Sequence, residues 1–523
     1  MQKKKVDLLP ALFLAVLLLF GFFYRLYGLS DNHSFWTDEN HVAIFARAIL
    51  ERGNPILGNG YNTGIYQYLQ YWLSAASAKV FGLNEFAIRF PSVIFGVLTI
   101  WAVWLLGKEL FSTPSTSEES NVPLRSTLPP SEVFIPLVAA TLTTFLKIEI
   151  LWSRQARPYQ VLQFLYLLGA YFIYRVAKEN KFNWSCFLGF LGCGIFASLM
   201  HGLGLVIFFS GFVYLFIFRA SWFGKKWMLL GISLFVLFGW IFKVQILSVV
   251  SQIGKTNNLF YYRIFLTHNY LLLCLLAILG SFLLFWRKKY SELLLFVISL
   301  SVQIIFVSFF LGQTFTRYFY PVFPFIIILA SYGIWGTGIL LSKKVLNTKG
   351  SVLSFQYLIS FLFIFILFFS LWKSDKLSLF PKKIYSLNAD MQEVPEVDWK
   401  KIYSFVGLKL QRNKDTVLVA NWMDTPIWFL GEGSLDYLVR WKETPLDYDY
   451  FSGAKLLPNL KEFIELTKRE EMGLLVLDSW DNKIPEGVSE YCQENLKKEF
   501  EIDRLYPVQP RYWSVTVYSW GLD

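Results

Sequence analysis

Four cysteines and four histidines in 523 residues are too few for a disulfide framework, and none falls at a recognisable metal-ligand spacing. Three of the cysteines (Cys186, Cys193 and Cys274) lie inside apolar runs, and only Cys492 lies in the tail. Charge is scarce too. Only 17% of residues are Asp, Glu, Lys or Arg, against about 25% in ordinary soluble domains. No glycine-rich loop of the P-loop or dinucleotide kind occurs, which excludes phosphate cradles of those types. Internal repeats are missing. The apolar run from Leu8 to Leu29 is closed by no small-residue cleavage pattern, so it reads as a retained span and not as a removed signal.

What is present is hydrophobic: 55% of the chain, with 52 Phe among 19% aromatics. Apolar segments of spanning character occur near 8–28, 89–110, 132–152, 158–178, 183–200, 202–219, 226–248, 269–286, 290–311, 318–341 and 354–372. The expectation is a polytopic α-helical membrane protein of about eleven transmembrane helices, covering 1–372. Its first outer loop, about 29–88, carries amphipathic helices, and the run 65–82 reads as an interfacial helix. Residues 112–131, rich in Ser, Thr, Pro and Glu, read as a flexible loop.

Residues 373–523 change character. Thr416–Ala420 and Gly473–Asp478 read as buried strands, Pro458–Glu471 as a helix between them, and Tyr512–Trp520 as a last strand. A small soluble α/β domain is expected there. Net charge splits at the same place. Residues 1–372 hold 29 Lys and Arg against 13 Asp and Glu, whereas 373–523 hold 20 against 25. The basic excess therefore lies in the membrane part, where it sets topology and meets the lipid bilayer; no nucleic-acid partner is expected.

Placing the N-terminus in the cytoplasm and alternating the spans collects 17 positive residues in six short cytoplasmic segments. The tail then lies outside the cytoplasm. This orientation leaves six membrane-part acids on the outer face: Asp31, Asp38, Glu39, Glu51, Glu85 and Glu149. Asp38 and Glu39 open an amphipathic helix running to about Glu51, with Val42, Phe45, Ala46 and Ile49 on one face. From the residues alone Asp38 is either a functional carboxylate or, like Thr37, a helix N-cap.

A second stretch runs from Glu149 through Ser153-Arg154-Gln155-Ala156-Arg157-Pro158-Tyr159-Gln160. Two arginines three residues apart either grip a phosphate with forked donors or snorkel to lipid headgroups. Glu149, at a span end, is costly unless paired or functional. A third stretch holds Arg317 and Tyr318, with Pro321 and Pro324 breaking the helix start; it lines a cavity or anchors an aromatic belt. His201, in a short turn, is a weaker substrate-contact candidate. So are Tyr262, Arg263 and His268, in an outer loop 249–268.

Taken together, Trp36-Thr37-Asp38-Glu39 continuing to Gly53, Phe81 to Ser92, Ser153 to Tyr159, and Arg317-Tyr318 with its prolines resemble the GT-C class of membrane glycosyltransferases. The relatives are the protein O-mannosyltransferase, aminoarabinose transferase and RgtA/B/C/D-like families, and the likeness covers roughly residues 8–340. It implies a polyprenyl-phosphate-linked sugar donor, already activated so that no nucleotide site is required, and a lipid, glycan or protein acceptor outside the cytoplasm. It also implies that Asp38 corresponds to the first-loop aspartate that acts as general base. Arg154, Arg157 and Arg317 are then the donor-phosphate candidates. Glu39 either orients Asp38 or helps hold a divalent cation, although two carboxylates do not define a metal site. Glu149, Tyr159, His201, Tyr262, Arg263, His268 and Tyr318 are candidate substrate contacts. Aminoarabinose-type relatives carry a further acid near the third and fourth spans. Ser153–Gln160 has none, and Glu149 is the nearest substitute. The rival readings are a transporter or flippase, which predicts mid-span charges and broken helices in matching halves, and a membrane scaffold acting through its tail.

Overall fold

The computed structural model describes residues 8–64, 67–111, 131–179, 181–219, 236, 240, 257–345, 349–385, 396–441, 445–503 and 513–522. The chain divides into two compact units: Met1–Tyr27, Ser92–Arg154 and Pro158–Lys382 in one, and Gly28–Pro91, Gln155–Arg157 and Lys383–Asp523 in the other. Composition suggested a division at 372. By contacts, the first loop instead groups with the tail.

The helices of the first unit follow the apolar segments. They are α1 (Leu8–Leu26), then, after α2 (Thr37–Arg52) and α3 (Tyr68–Phe81) of the first loop, α4 (Glu85–Phe111), α5 (Ser131–Phe145), α6 (Lys147–Trp152), α7 (Tyr159–Lys178), α8 (Trp184–Met200), α9 (Leu205–Arg219), α10 (Leu259–Trp286), α11 (Tyr290–Phe309), α12 (Phe323–Val345) and α13 (Lys349–Lys373). Among the described residues seven helices are long and apolar enough to cross a membrane. Val133–Phe145 and Trp184–Met200 are shorter apolar helices. The protein is an integral membrane protein. The segment 226–248, apart from residues 236 and 240, and the loop expected at 112–131, up to residue 130, lie outside the described residues.

Two boundaries differ from the sequence reading. The span expected at 132–152 breaks at Leu146, whose backbone is extended. There Lys147 N–H donates to the Lys376 carbonyl at 2.9 Å, and Ser378 N–H donates to Phe145 O at 2.8 Å. A neighbouring strand-like segment thus replaces the helical bonds lost at the break. Residues 259–268, expected in a loop, are helical. Thr267 Oγ1 donates to Arg263 O at 2.8 Å and Asn269 Nδ2 to Phe265 O at 3.0 Å. These polar side chains are satisfied by carbonyls of their own helix, a bonding pattern that goes with bending, and the helix is kinked at Tyr270. Within the bundle α10 and α12 approach closely. A Cβ on Gly280 would strike the Leu329 carbonyl, and one on Gly333 the Leu276 carbonyl. Small residues permit such contact where apolar burial gives no net drive between helices.

The second unit contains α14 (Trp399–Arg412), β1 (Val417–Ala420), α15 (Asp424–Leu430), β2 (Tyr437–Val439), β3 (Lys455–Leu457), α16 (Leu460–Arg469), β4 (Gly473–Asp478), α17 (Val488–Asn495), β5 (Lys497–Asp503) and β6 (Ser514–Trp520). The sheet order is β3-β2-β1-β4-β6-β5. The first four neighbours run parallel, and β6 lies antiparallel between β4 and β5. This is the small α/β domain read from the sequence. β4 is buried at every position, as a central parallel strand covered on both faces should be.

Helix α2 is buried beyond one face. Val42, Phe45, Ala46 and Ile49 are covered as expected, but Ala43, Ile44 and Ala48 are fully buried as well. They share one core with Tyr71, Ala75 and Ala78 of α3 and with Ile427, Trp428 and Phe451 of the tail. Arg47 fixes the join: its Nη1 donates to Ile427 O at 3.1 Å and its Nη2 to Trp428 O at 2.6 Å.

Candidate functional site

In the second unit the site is built on the first turn of α2. Trp36 is the N-cap residue, with extended backbone and no side-chain cap bond. Asp38 therefore lies inside the first turn and is not the cap. Its Oδ2 sits 2.5 Å from Arg157 Nη2. The Arg157 guanidinium lies 4.9 Å over the Trp36 ring, and Trp36 Nε1 donates to Gln155 Oε1 at 3.2 Å. The Asp38 side chain is 34% exposed, whereas that of Arg157 is only 4% exposed. One carboxylate thus faces outward from a buried support.

Glu39 supplies much of that support. It is fully buried and receives two bonds from Arg89, Nε at 2.8 Å and Nη2 at 2.7 Å. It also accepts the Ala156 N–H at 2.7 Å. The same carboxylate ties α2 to α4 and holds the 155–157 segment against the helix. Glu39 is therefore a buried tie, not a free carboxylate. With both oxygens engaged, it is poorly disposed to take a cation. Among the described residues no group of three His, Cys, Asp or Glu side chains could hold a metal ion. Arg89 was not singled out from sequence, but its i,i+4 spacing from Glu85 was a signal: their side chains lie 3.8 Å apart. Nearby, His41 stacks on Phe451 at 4.5 Å and 5°. Burial pushes its imidazole down to about 4.

In the first unit Glu149 is fully buried. Tyr320 OH lies 2.9 Å from its Oε2, and Gln163 Nε2 donates to its Oε1 at 3.2 Å. Gln160 joins this network through Tyr320 at 2.7 Å and Thr99 at 2.9 Å. Tyr159, His201 and Tyr318 form a triangle of rings with centroids 5.5 to 6.2 Å apart. His201 Nδ1 accepts the Leu203 N–H at 3.1 Å, so this histidine also caps a short turn. Arg317 is buried, its guanidinium 3.7 Å over Phe315 and 5.5 Å over Tyr318. Tyr262 OH reaches the same loop, donating to Phe315 O at 3.1 Å.

The other sequence candidates stand apart. Arg263 and His268 are exposed positions on α10, and Arg263 lies 6.0 Å over Phe260. Arg154 is buried and donates to the Arg25 and Tyr27 carbonyls at 3.0 and 2.7 Å. It holds the chain at the end of α1. Arg157, expected on a donor phosphate, is paired with Asp38.

Known proteins share parts of this chain. Residues 68–117 match the family model described as dolichyl-phosphate-mannose-protein mannosyltransferase. Undecaprenyl phosphate-alpha-4-amino-4-deoxy-L-arabinose arabinosyl transferases from Pseudomonas paraeruginosa and Pseudomonas aeruginosa are 33% identical over 105 residues, 20% of this chain and 19% of theirs. The matched stretch spans about a fifth of those curated relatives. Similarity in structure is far wider. ArnT from Cupriavidus metallidurans in the apo state superposes with a TM-score of 0.58 at 13% identity, covering 97% of both chains. The same protein bound to undecaprenyl phosphate gives 0.53 at 14% identity, again over 97% of both. The archaeal oligosaccharyltransferase AglB from Archaeoglobus fulgidus, in complex with an inhibitory peptide and a dolichol-phosphate, gives 0.51 at 13%, covering 96% of this chain and 74% of its own. The chain has the fold of these proteins, the GT-C-like architecture expected from the sequence.

Proposed function

We propose that this protein transfers a sugar from a polyprenyl-phosphate donor to a hydroxyl-bearing lipid, glycan or protein acceptor. The reaction takes place at the extracytoplasmic face of a bacterial inner membrane, with the N-terminus in the cytoplasm. The observation that carries the reading is Asp38: a part-exposed carboxylate held by the buried Arg157. The fold shared with a protein solved with undecaprenyl phosphate supports the donor class. The local match to sugar transferases supports the reaction class.

Asp38 takes the proton of the acceptor hydroxyl. That oxygen attacks the anomeric carbon, the C–O bond to the lipid phosphate breaks, and the bond pair leaves with the polyprenyl phosphate. Arg157 fixes the carboxylate in one orientation, which shortens the search for an in-line pose. Arg317 is the candidate for offsetting charge on the departing phosphate. The donor is already activated, so a nucleotide site is unnecessary.

The test is transfer from a polyprenyl-phosphate sugar by purified Asp38→Asn. General-base loss costs about 10²–10⁴ in rate. Near-normal turnover would remove Asp38 from the role.

A further inference from the structure

The tail sheet has a topological switch. From β1 it grows through β2 to β3 on one side, while β4 lies on the other. Because β1 and β4 are parallel, the loops at their carboxyl ends leave in different directions from the same edge. Open α/β sheets receive ligands in the crevice that this produces. Here the two loops are Asn421-Trp422-Met423-Asp424 and Asp478-Ser479-Trp480-Asp481. Arg440 joins them from the end of β2.

Asn421 closes the floor. Its Nδ2 donates to Asp478 O and its Oδ1 accepts Asp478 N–H, both at 2.9 Å. Trp422 and Trp480, both half-buried, stand nearly parallel, 6.1 Å apart at 16°. Trp422 Nε1 donates to Asp478 Oδ2 at 2.9 Å, which fixes its ring. The Arg440 guanidinium lies 5.7 Å over Trp422, and its Nη2 is 4.0 Å from Asp481 Oδ1. Asp424 is fully buried and feels the Arg440 charge; its Oδ2 accepts Asn40 Nδ2 at 3.3 Å, whereas its Oδ1 and Arg440 Nε have no side-chain hydrogen-bond partner. Buried polar atoms are normally satisfied, so such orphans mark missing company.

The chemistry selects a ligand class. Tryptophan faces pack against the C–H face of a pyranose. Carboxylates accept its hydroxyl protons, and a guanidinium donates to its oxygens. A nucleotide fits poorly. The β1 loop carries no glycine-rich phosphate turn, and the Arg440 charge is met by two aspartates, Asp424 and Asp481. We propose that this crevice binds a pyranose unit of a neutral or amino-bearing glycan. The binding stands apart from the transfer reaction: failure here leaves the Asp38 reading intact, and inactivity of the enzyme would not remove the site.

The experiment is saturation-transfer NMR on the full chain in nanodiscs, with cellobiose, the glucosamine disaccharide and UDP as probes. Saturation transfer to one or both disaccharides and none to UDP is expected. Trp480→Ala should weaken disaccharide binding roughly tenfold, about 1.4 kcal/mol, with unfolding unchanged. Trp422→Phe keeps a ring and should weaken binding less, which separates stacking from collapse of the domain. Transfer to UDP alone, no transfer to either disaccharide, or binding unaffected by Trp480→Ala would each overturn the proposal.

Discussion

Removing one partner of the Glu39–Arg89 pair should destabilise the protein more than removing both. Both side chains are 0% exposed, and two bonds of 2.8 and 2.7 Å join them. Breaking such a pair leaves a buried charge uncompensated, at a cost of about 3–5 kcal/mol. Arg89→Met should show a loss of that size; Glu39→Met leaves Arg89 with Glu85 at 3.8 Å but strands the Ala156 N–H, and should lose about as much. In Glu39→Met/Arg89→Met no charge of the pair remains, and methionine fills comparable volume. Glu85 keeps Lys400, whose Nζ lies 2.7 Å away. What persists is the Ala156 N–H without its acceptor, about 1–3 kcal/mol. The double variant should therefore unfold above either single one. Thermal unfolding of the four proteins in nanodiscs, followed by tryptophan fluorescence, reads the order directly. Single variants within about 1 kcal/mol of the parent, or a double variant as unstable as the two losses combined, would refute the reasoning.

Other outcomes follow from the same geometry. Arg157→Ala should lower transfer while leaving the melting temperature nearly intact, because Glu39 still holds Ala156; steady-state kinetics beside a melting curve would show it. Burial raises Asp424 from its ordinary value to about 7. Since the folded state then holds a proton that the unfolded state has released, stability should fall as pH rises from about 4 to about 7, by at most about 1.4 kcal/mol per unit. Asp424→Asn should flatten that slope, as urea midpoints at pH 5 and pH 8 would reveal. Gly280→Leu should disrupt α10 against the Leu329 carbonyl and lower the yield of folded protein on size exclusion, whereas Gly192→Ala, with open space around it, should not.

Much of this architecture could be read from residue patterns. Hydropathy located the helices, and the buried run Gly473–Asp478 matched β4 residue for residue. Asp38 was reached through its place beside Glu39 in a first-loop pattern. What escaped was set by distant partners. The second apolar face of α2 was visible as Ala43, Ile44 and Ala48, but its cover, Ile427 and Trp428, lies nearly four hundred residues on. The pairing of Glu39 with Arg89 crosses fifty residues. Thr267 looked like loop because nothing local announces that a side chain will bond to its own helix. Arg154 and Arg157 looked alike by spacing, yet one holds backbone carbonyls and the other a carboxylate.

The shared core of α2, α3 and the tail bears on how such a protein can be taken apart and recombined. A tail swapped at the end of the last span would carry away Ile427, Trp428 and Phe451 and strip the cover from the helix that bears Asp38. The exchangeable module is discontinuous: Gly28–Pro91 and Gln155–Arg157 must travel with Lys383–Asp523. Descent by tail replacement is therefore closed to this chain unless the first loop changes hands in the same event.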